Sequence, residues 1–262
     1  MRIALGLEYL GSQYFGWQKQ IGHPTIQETL EKALSQVADH PVTIFSAGRT
    51  DTGVHASAQV VHFDTTAQRR DLAWTFGVNS LMPDSIRVQW IKAVPDSFHA
   101  RFSAMSRSYR YIIHNSRVKS AILSQQMTWH PIPLDVTAMQ EAAQYLIGRH
   151  DFTSYRSSDC QAHSPVRNLM ICNVIRKGDL VIIEVKANGF LHHMVRNLAG
   201  VLVKIGEAKM PPEWAREVLL ARDRRAAAKM LGPDGLYLTE IGYPQEYQLP
   251  LGLPGPVFLH IV

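Results

Sequence analysis

The stretch "FSAGRTDTGVHASAQVVH" carries a carboxylate in a glycine-flanked turn. Asp51 lies between Gly48 and Gly53, and glycines allow sharp backbone geometry and close approach by a ligand. One interpretation is an Asx-type turn that only connects two strands. The other is a carboxylate held there to react. The connection from about Gly48 to Ser57 is long for a hairpin loop, and Arg49 close by favours the ionised carboxylate.

Three other kinds of site are disfavoured by the residues present. Aspartic proteases also use Asp-Thr-Gly, but they pair two such aspartates, and this chain has no second "DTG" or "DSG". A zinc site built on Cys160, His163 and Cys172 would lack a fourth ligand at a recognisable spacing, and His192 with His193 does not form "HExxH". The chain has no convincing P-loop or dinucleotide fingerprint, so we expect no cofactor.

The elements that must position Asp51 follow a regular order in the first hundred residues. Thr25 and Glu28 have the spacing of a capping box, and apolar residues recur at helical period behind them. The predicted order is β-α-β-β-α-β: strand 2–8, helix 24–40, strands 42–47 and 59–64, helix 69–79 and strand 85–94.

The second half repeats this order with an insertion. Asp135 begins one helix, Gly148 lies just past its end, and "KGD" is a hairpin signal between two strands. The predicted elements are strand 107–115, helix 134–147, strands 167–176 and 180–187, helices 192–206 and 211–221, and strand 235–243.

A β-α-β-β-α-β unit is the ferredoxin-like motif. Two in tandem predict an α+β protein with a largely antiparallel central sheet and helices on one face, the other face being free for a ligand as in RNA-binding sheets. We expect an N-terminal half, 1–104, that carries Asp51, a C-terminal half, 105–262, and an active-site cleft between them.

Composition favours an anionic partner. The chain carries 27 Lys and Arg against 22 Asp and Glu, a net charge of +5, which suits nucleic acid but is also common in other proteins. The two cysteines indicate a reducing cytoplasm. No apolar run approaches the roughly 18 residues needed to span a bilayer, and the N-terminus is not a signal peptide.

The motifs together resemble a known family. The signature Gly48–His55, "GRTDTGVH", has Thr52 where alanine is more common, and "FHARFSAMSRSYRYII", "NGFLHHMVRN" and "DGLYLTEIGYP" follow in the expected order. The chain resembles the pseudouridine synthases, and within them the tRNA pseudouridine synthase A branch, from about Ile3 to Leu259.

The resemblance implies an RNA-modifying enzyme. It makes Asp51 the essential aspartate, Tyr109 the aromatic that stacks on the target base, Arg196 the basic residue paired with the aspartate, and Leu236 an apolar contact near the base. Arg49 is a further candidate for substrate binding. The resemblance also implies a cofactor-free homodimer that acts on uridines 38, 39 and 40 of the tRNA anticodon arm.

The residues fit this chemistry but leave alternatives open. An ionised Asp51 could attack C6 of the uracil, attack C1′ of the ribose, or remove a ribose proton. Composition does not separate Tyr109 from Tyr111, either of which could be a core aromatic. Arg196 lies on a polar helical stripe near a helix N-terminus. The helix dipole does not stabilise a cation at that end, so we expect a carboxylate partner. The alternative interpretation to an RNA-modifying enzyme is a non-catalytic RNA-binding protein.

Overall fold

The computed structural model describes residues 1–252 and 255–260. The strands are β1 Arg2–Tyr9, β2 Phe45–Ser46, β3 His55–Asp64, β4 Ile86–Val94, β5 Ser106–Asn115, β6 Thr128–His130, β7 Gly148–Asp151, β8 Val166–Lys177, β9 Leu180–Ala187 and β10 Leu236–Gly242. The α-helices are α1 Ile26–Ala38, α2 Val78–Ser80, α3 Val136–Gln144, α4 Met194–Gly206 and α5 Trp214–Ala221.

The chain forms two compact units. The first contains Met1–Met105 together with the chain from Tyr237 onward, and the second contains Ser106–Leu236. The sequence-based halves, 1–104 and 105–262, differ from these units in the C-terminal segment. That segment joins the first unit because β10 pairs in parallel with β3.

The first unit is built on a mostly antiparallel sheet. Its strand order is β4-β1-β3-β10, and β2 pairs with β3. Both long ladders, β1 with β3 and β1 with β4, are antiparallel. The large side chains of this core are fully buried: Ile3, Leu5, Leu7, Phe63, Trp74 and Phe98.

Helix α1 has the predicted amphipathic pattern. Thr25 caps it by accepting a hydrogen bond from the amide of Glu28 at 3.4 Å. This bond is the forward half of the predicted capping box. The Glu28 carboxylate pairs with Lys32. The buried residues of α1 recur at helical spacing: Ile26, Leu30, Ala33, Leu34 and Ala38.

The second predicted strand, 42–47, is reduced to β2 because α1 competes for its backbone. Ser35 Oγ accepts from the amide of Val42 at 2.9 Å, and Glu31 Oε1 accepts from the amide of Ile44 at 3.2 Å. These amides therefore bond to helix side chains, and only the short β2 remains on the sheet.

The second unit has a sheet of order β5-β9-β8-β7, with β6 parallel to β5 and the other pairs antiparallel. The predicted hairpin between β8 and β9 turns at Gly178, φ +54°. Asp135 caps α3 by accepting from the amides of Thr137 and Ala138. Helix α3 packs on β8, and α4 packs on α3 and β5.

The predicted α+β class and the largely antiparallel sheet are confirmed. Two predicted helices are present with local differences. The helix expected over 69–79 winds as a π-helix through Ala73–Gly77 before α2. The helix expected over 134–147 is α3, which ends at Gln144, with Gly148 beginning β7 at φ +113°. Among the described residues, no helix is both long enough and apolar enough to cross a bilayer.

Candidate active site

Asp51 lies in the connection between β2 and β3. The amide of Val54 donates to the carbonyl of Asp51 at 3.1 Å, which closes a tight turn, and Gly53 takes φ +80° within it. Thr50 is buried and the Asp51 side chain is partly buried. The two interpretations of this stretch are therefore compatible, because the aspartate is a turn residue and its carboxylate is also held on a rigid frame.

A second segment, Tyr14–Trp17, clamps this turn. The amide of Trp17 donates to the carbonyl of Thr50 at 3.0 Å, and the amide of Gly53 donates to the carbonyl of Tyr14 at 3.4 Å. Tyr14 and Trp17 are both buried. These two side chains are part of the scaffold behind the aspartate.

Gly16 allows the clamp to close. Its φ of +82° is unfavourable for other residues, and a Cβ placed there would lie 2.8 Å from the carbonyl oxygen of Thr50 and 3.1 Å from the carbonyl carbon of Asp51. The backbone of Gly16 therefore touches the backbone of the aspartate itself. Sequence reasoning missed this residue, although a glycine between large aromatic residues is a usable signal of close backbone approach.

We expect Gly16→Ala to lower both stability and turnover. The left-handed backbone costs about 1–2 kcal/mol, and the overlap must push the aspartate turn away. A shift of about 1 Å in a reacting group costs on the order of 100-fold in rate. Thermal unfolding measures the first effect, and the rate of the uridine conversion that the resemblance implies measures the second.

Gly22→Ala is the matched control for Gly16→Ala. Gly22 has a similar φ of +78°, but no atom lies within 4 Å of the added Cβ. It should lose comparable stability and keep its turnover. Equal turnover for the two variants would contradict the clamp.

Buried polar groups hold the base of the turn. The hydroxyls of Tyr9 and Thr50 share a hydrogen bond of 2.9 Å, and Gln59 Nε2 donates to the carbonyl of Gly48 at 2.7 Å. Burial raises the pKa of Tyr9 to about 12, so its hydroxyl stays protonated at neutral pH. Side chains of β1 and β3 thereby fix the segment that leads into the turn.

His55 of the signature is a scaffold residue in this unit. It is fully buried, and its Nδ1 accepts from the amide of Gly11 at 3.0 Å. Its ring stacks on Tyr237 at 4.7 Å between centroids. Gly11 permits this approach, since a Cβ there would lie 2.0 Å from the carbonyl oxygen of Val54.

Arg196 lies in the first turn of α4, in the second unit. It is 9% exposed, and its Nε donates to the carbonyl of Leu231 at 2.9 Å. At Gly200 a Cβ would lie 2.3 Å from the carbonyl oxygen of Lys229. The polar stripe seen in the sequence is therefore covered by the segment 229–231 and is not a solvated face.

The structure distinguishes the two tyrosines of β5. Tyr111 is fully buried, its hydroxyl donates to the carbonyl of Gly232 at 2.8 Å, and burial raises its pKa. Tyr109 is only partly buried, and its ring meets Phe190 edge-on at 5.1 Å. Tyr111 is thus a core residue, while Tyr109 retains accessible ring surface.

The remaining candidate residues differ in exposure. Leu236 is buried at the start of β10, and its amide donates to the carbonyl of Pro233 at 2.9 Å. Arg49 is exposed. The first unit thus holds Arg49 and Asp51, and the second holds Tyr109, Arg196 and Leu236.

The cysteines have the properties of ordinary residues. Cys172 is fully buried on β8, and burial raises the pKa of its thiol to about 12. This thiol is therefore protonated at neutral pH and unreactive as a nucleophile.

Known proteins resemble this chain over most of its length. Residues 7–103 and 142–244 match the family model described as tRNA pseudouridine synthase. Proteins named tRNA pseudouridine synthase A from Shigella boydii serotype 4 (strain Sb227) and Escherichia coli O1:K1 / APEC are each 54% identical over 258 residues, covering 98% of this chain and 96% of theirs.

A solved structure of the archaeal box H/ACA sRNP Nop10–Cbf5 complex aligns with 90% of this chain and 48% of its own, at 11% identity and a TM-score of 0.38. That likeness is too low to carry an argument. The family match and the 54% identity over nearly the full length carry the assignment. The chain belongs to the tRNA pseudouridine synthase family.

Proposed function

We propose that this protein isomerises uridine to pseudouridine at positions 38, 39 and 40 of the tRNA anticodon arm, without a cofactor and with Asp51 as the essential carboxylate. The observation that carries the proposal is the clamped turn of Asp51 in a chain that matches the family along its length. A carboxylate carried on a turn whose backbone is fixed by three main-chain hydrogen bonds starts from a defined position, which favours reaction without rearrangement of the turn.

The reaction explains why side chains alone suffice. The bond from ribose C1′ to N1 of the base breaks, the base rotates, and C1′ joins C5. A proton leaves C5, and N1 takes up a proton. Atoms are conserved, and neither oxidation nor reduction occurs. Asp51 serves as nucleophile toward C6 or C1′, or as base toward a ribose proton, and each route begins from the ionised carboxylate.

The other candidate residues have proposed roles that match their chemistry. Tyr109 stacks on the extruded base, since its ring is partly accessible beside Phe190. Arg196 supplies the positive charge that favours an ionised aspartate. Leu236 offers an apolar contact near the base, and exposed Arg49 binds the substrate backbone.

A uridine within a stem must leave the stack before a carboxylate can reach it. Extrusion costs a few kcal/mol, and stacking on an aromatic ring offsets about 1–3 kcal/mol of that cost. The net charge of +5 favours a polyanionic substrate, and binding through phosphate contacts should weaken as salt rises. We further propose that the active form is a homodimer and that it works in the cytoplasm.

The proposed function is tested with tRNA carrying tritium at C5 of uridine. The protein should release tritium to water, because C5 exchanges its hydrogen for the bond to C1′. Chemical mapping of pseudouridine should then place the product at positions 38, 39 and 40. A tRNA with cytidine at these three positions is the control and should release none.

Two other outcomes would replace this proposal. Tight tRNA binding without tritium release would favour a non-catalytic RNA-binding protein. Release from the cytidine control would indicate a related enzyme that acts on other uridines.

A further inference from the structure

Four rings and one arginine form a cluster on the first unit, called here the Phe102 face: Phe45, His62, His99, Arg101 and Phe102. Phe45 stacks on His62 at 5.2 Å, His62 meets His99 at 4.6 Å, and His99 packs on Phe102 at 4.3 Å between ring centroids. Phe45 and Phe102 are 50% and 75% exposed. Two largely exposed rings, Phe45 and Phe102, thus each lie against His99, while His62 of the same cluster is buried.

Hydrogen bonds to the backbone fix the two histidine rings. His62 Nδ1 accepts from the amide of Ala100 at 3.1 Å. His99 Nδ1 accepts from the amides of Arg101 and Phe102 at 3.1 and 3.3 Å. An Nδ1 that accepts carries no proton, so both rings are held as the neutral tautomer protonated at Nε2.

The electrostatic surroundings favour the same neutral form. Burial, followed by the charge that His99 would carry if protonated and by the charge of Arg2, lowers the pKa of His62 to about 4. Burial and the charges of Arg2 and Arg101 also lower the pKa of His99. At neutral pH the face therefore presents uncharged aromatic rings.

Cations flank these rings. The Arg101 guanidinium lies 5.6 Å from the centroid of the Phe102 ring. Arg2 is anchored by both oxygens of Asp64 at 2.8 Å and by the carbonyl of Phe98 at 2.9 Å. Aromatic rings with arginine beside them are the combination that binds unpaired nucleic acid, through base stacking and backbone charge.

The Phe102 face lies well away from the aspartate turn. His55 begins β3 immediately after that turn, and His62 lies near the other end of the strand. At about 3.3 Å per residue the two histidines are roughly 23 Å apart along β3. A base that reaches this face is therefore a different nucleotide from the one presented to Asp51.

We propose that the Phe102 face stacks one unpaired base of the bound tRNA, distinct from the target uridine. The occupant is RNA because accessible π-faces lie beside arginines, which suits a base attached to phosphate. The inference rests on the proposed function for the identity of the RNA. The contact adds affinity and fixes the position of the substrate, and it takes no part in the chemistry.

The test compares Phe102→Ala with Phe76→Ala in binding to a full-length tRNA transcript. Phe76 is 72% exposed, close to the 75% of Phe102, and lies on the helix preceding β4. Phe102→Ala should weaken binding by about five- to 150-fold, and Phe76→Ala should not weaken it. At saturating tRNA, Phe102→Ala should release tritium at the wild-type rate.

Salt dependence separates stacking from a phosphate contact. Phe102→Ala should leave the slope of log affinity against log salt unchanged, whereas loss of one phosphate contact changes it by about 0.9. Phe45→Ala should weaken binding in the same way. Both aromatic side chains are largely exposed, and matching thermal midpoints will verify that the variants fold.

Each alternative outcome is distinguishable. Unchanged affinity for Phe102→Ala and Phe45→Ala would overturn the proposal. Conversion of a dimer into monomers by these variants would also overturn it and would assign the face to a second copy of this chain. Wild-type protein that binds tRNA without releasing tritium would overturn the proposed function alone, since the binding comparison remains.

Discussion

Asp51→Asn should abolish tritium release from uridine-labelled tRNA, lowering kcat by about 10⁴-fold or more, as removal of a nucleophile does in other enzymes. Asparagine has nearly the shape of aspartate but carries no charge and is a poor nucleophile. The turn itself should survive, because the bond from Val54 to position 51 uses the backbone carbonyl. Affinity for tRNA should therefore change by less than about threefold.

Asp179→Asn provides the control for this substitution. Asp179 lies exposed in the hairpin between β8 and β9, and its described hydrogen bond uses its carbonyl, which accepts from the amide of Asn115. The control should retain full activity and affinity. Tritium release that persists in Asp51→Asn would remove Asp51 from the mechanism, and parallel loss of binding would make its role structural.

The position of Asp51 was predictable from the sequence because the turn is local. Gly53, with its φ of +80°, specifies part of its backbone, and the flanking apolar strands specify where it lies. The clamp by Tyr14–Trp17 was not predictable, since its hydrogen bonds join residues more than thirty positions apart and use main-chain atoms. Main-chain contacts leave few traces in residue type apart from a glycine such as Gly16.

The secondary structure was predictable where hydrophobic periodicity was long. Helices α1 and α4 were placed well because their apolar faces cover several turns. The strands β6 and β7 were missed, since three or four residues carry no period. The strand before the aspartate was predicted too long because the competing acceptors, Ser35 and Glu31, belong to a helix.

The sequence could not distinguish the two tyrosines of β5. Tyr109 and Tyr111 share a strand face and a residue type, so no sequence pattern distinguishes the accessible ring from the buried one. The Tyr111 hydroxyl bonds to Thr128 and Gly232, and Gly232 lies more than a hundred positions away along the chain. The role of Tyr109 in stacking remains a prediction from the family resemblance.

Arg196→Met should lower kcat by about 100-fold or more, comparable to the loss of one preorganised donor at a reacting group, and should change tRNA affinity by less than about threefold. Methionine retains much of the side-chain volume and removes the charge. The proposed role of that charge is to favour the ionised aspartate, which matters in the chemical step. A phosphate contact would instead lower affinity and turnover together.

The free energy of unfolding of Arg196→Met must be measured together with its kcat, because Arg196 is buried and bonded to Leu231. Loss of the Nε donor leaves that carbonyl without its bond and should cost about 1–3 kcal/mol of unfolding free energy. Arg196→Lys separates the two effects, since it keeps a charge but cannot reproduce the planar guanidinium. It should lose similar stability to Arg196→Met and recover part of the turnover.

Arg216→Met is the matched control, because Arg216 is exposed on α5 of the same unit. It removes the same charge from the protein and should leave kcat unchanged. If Arg196→Met and Arg216→Met reduce tRNA affinity equally and leave kcat unchanged, Arg196 acts only through the net charge of the protein and has no role in the chemical step. A kcat that falls only in Arg196→Met, at temperatures where the variant remains folded, places the cation in the chemical step with Asp51.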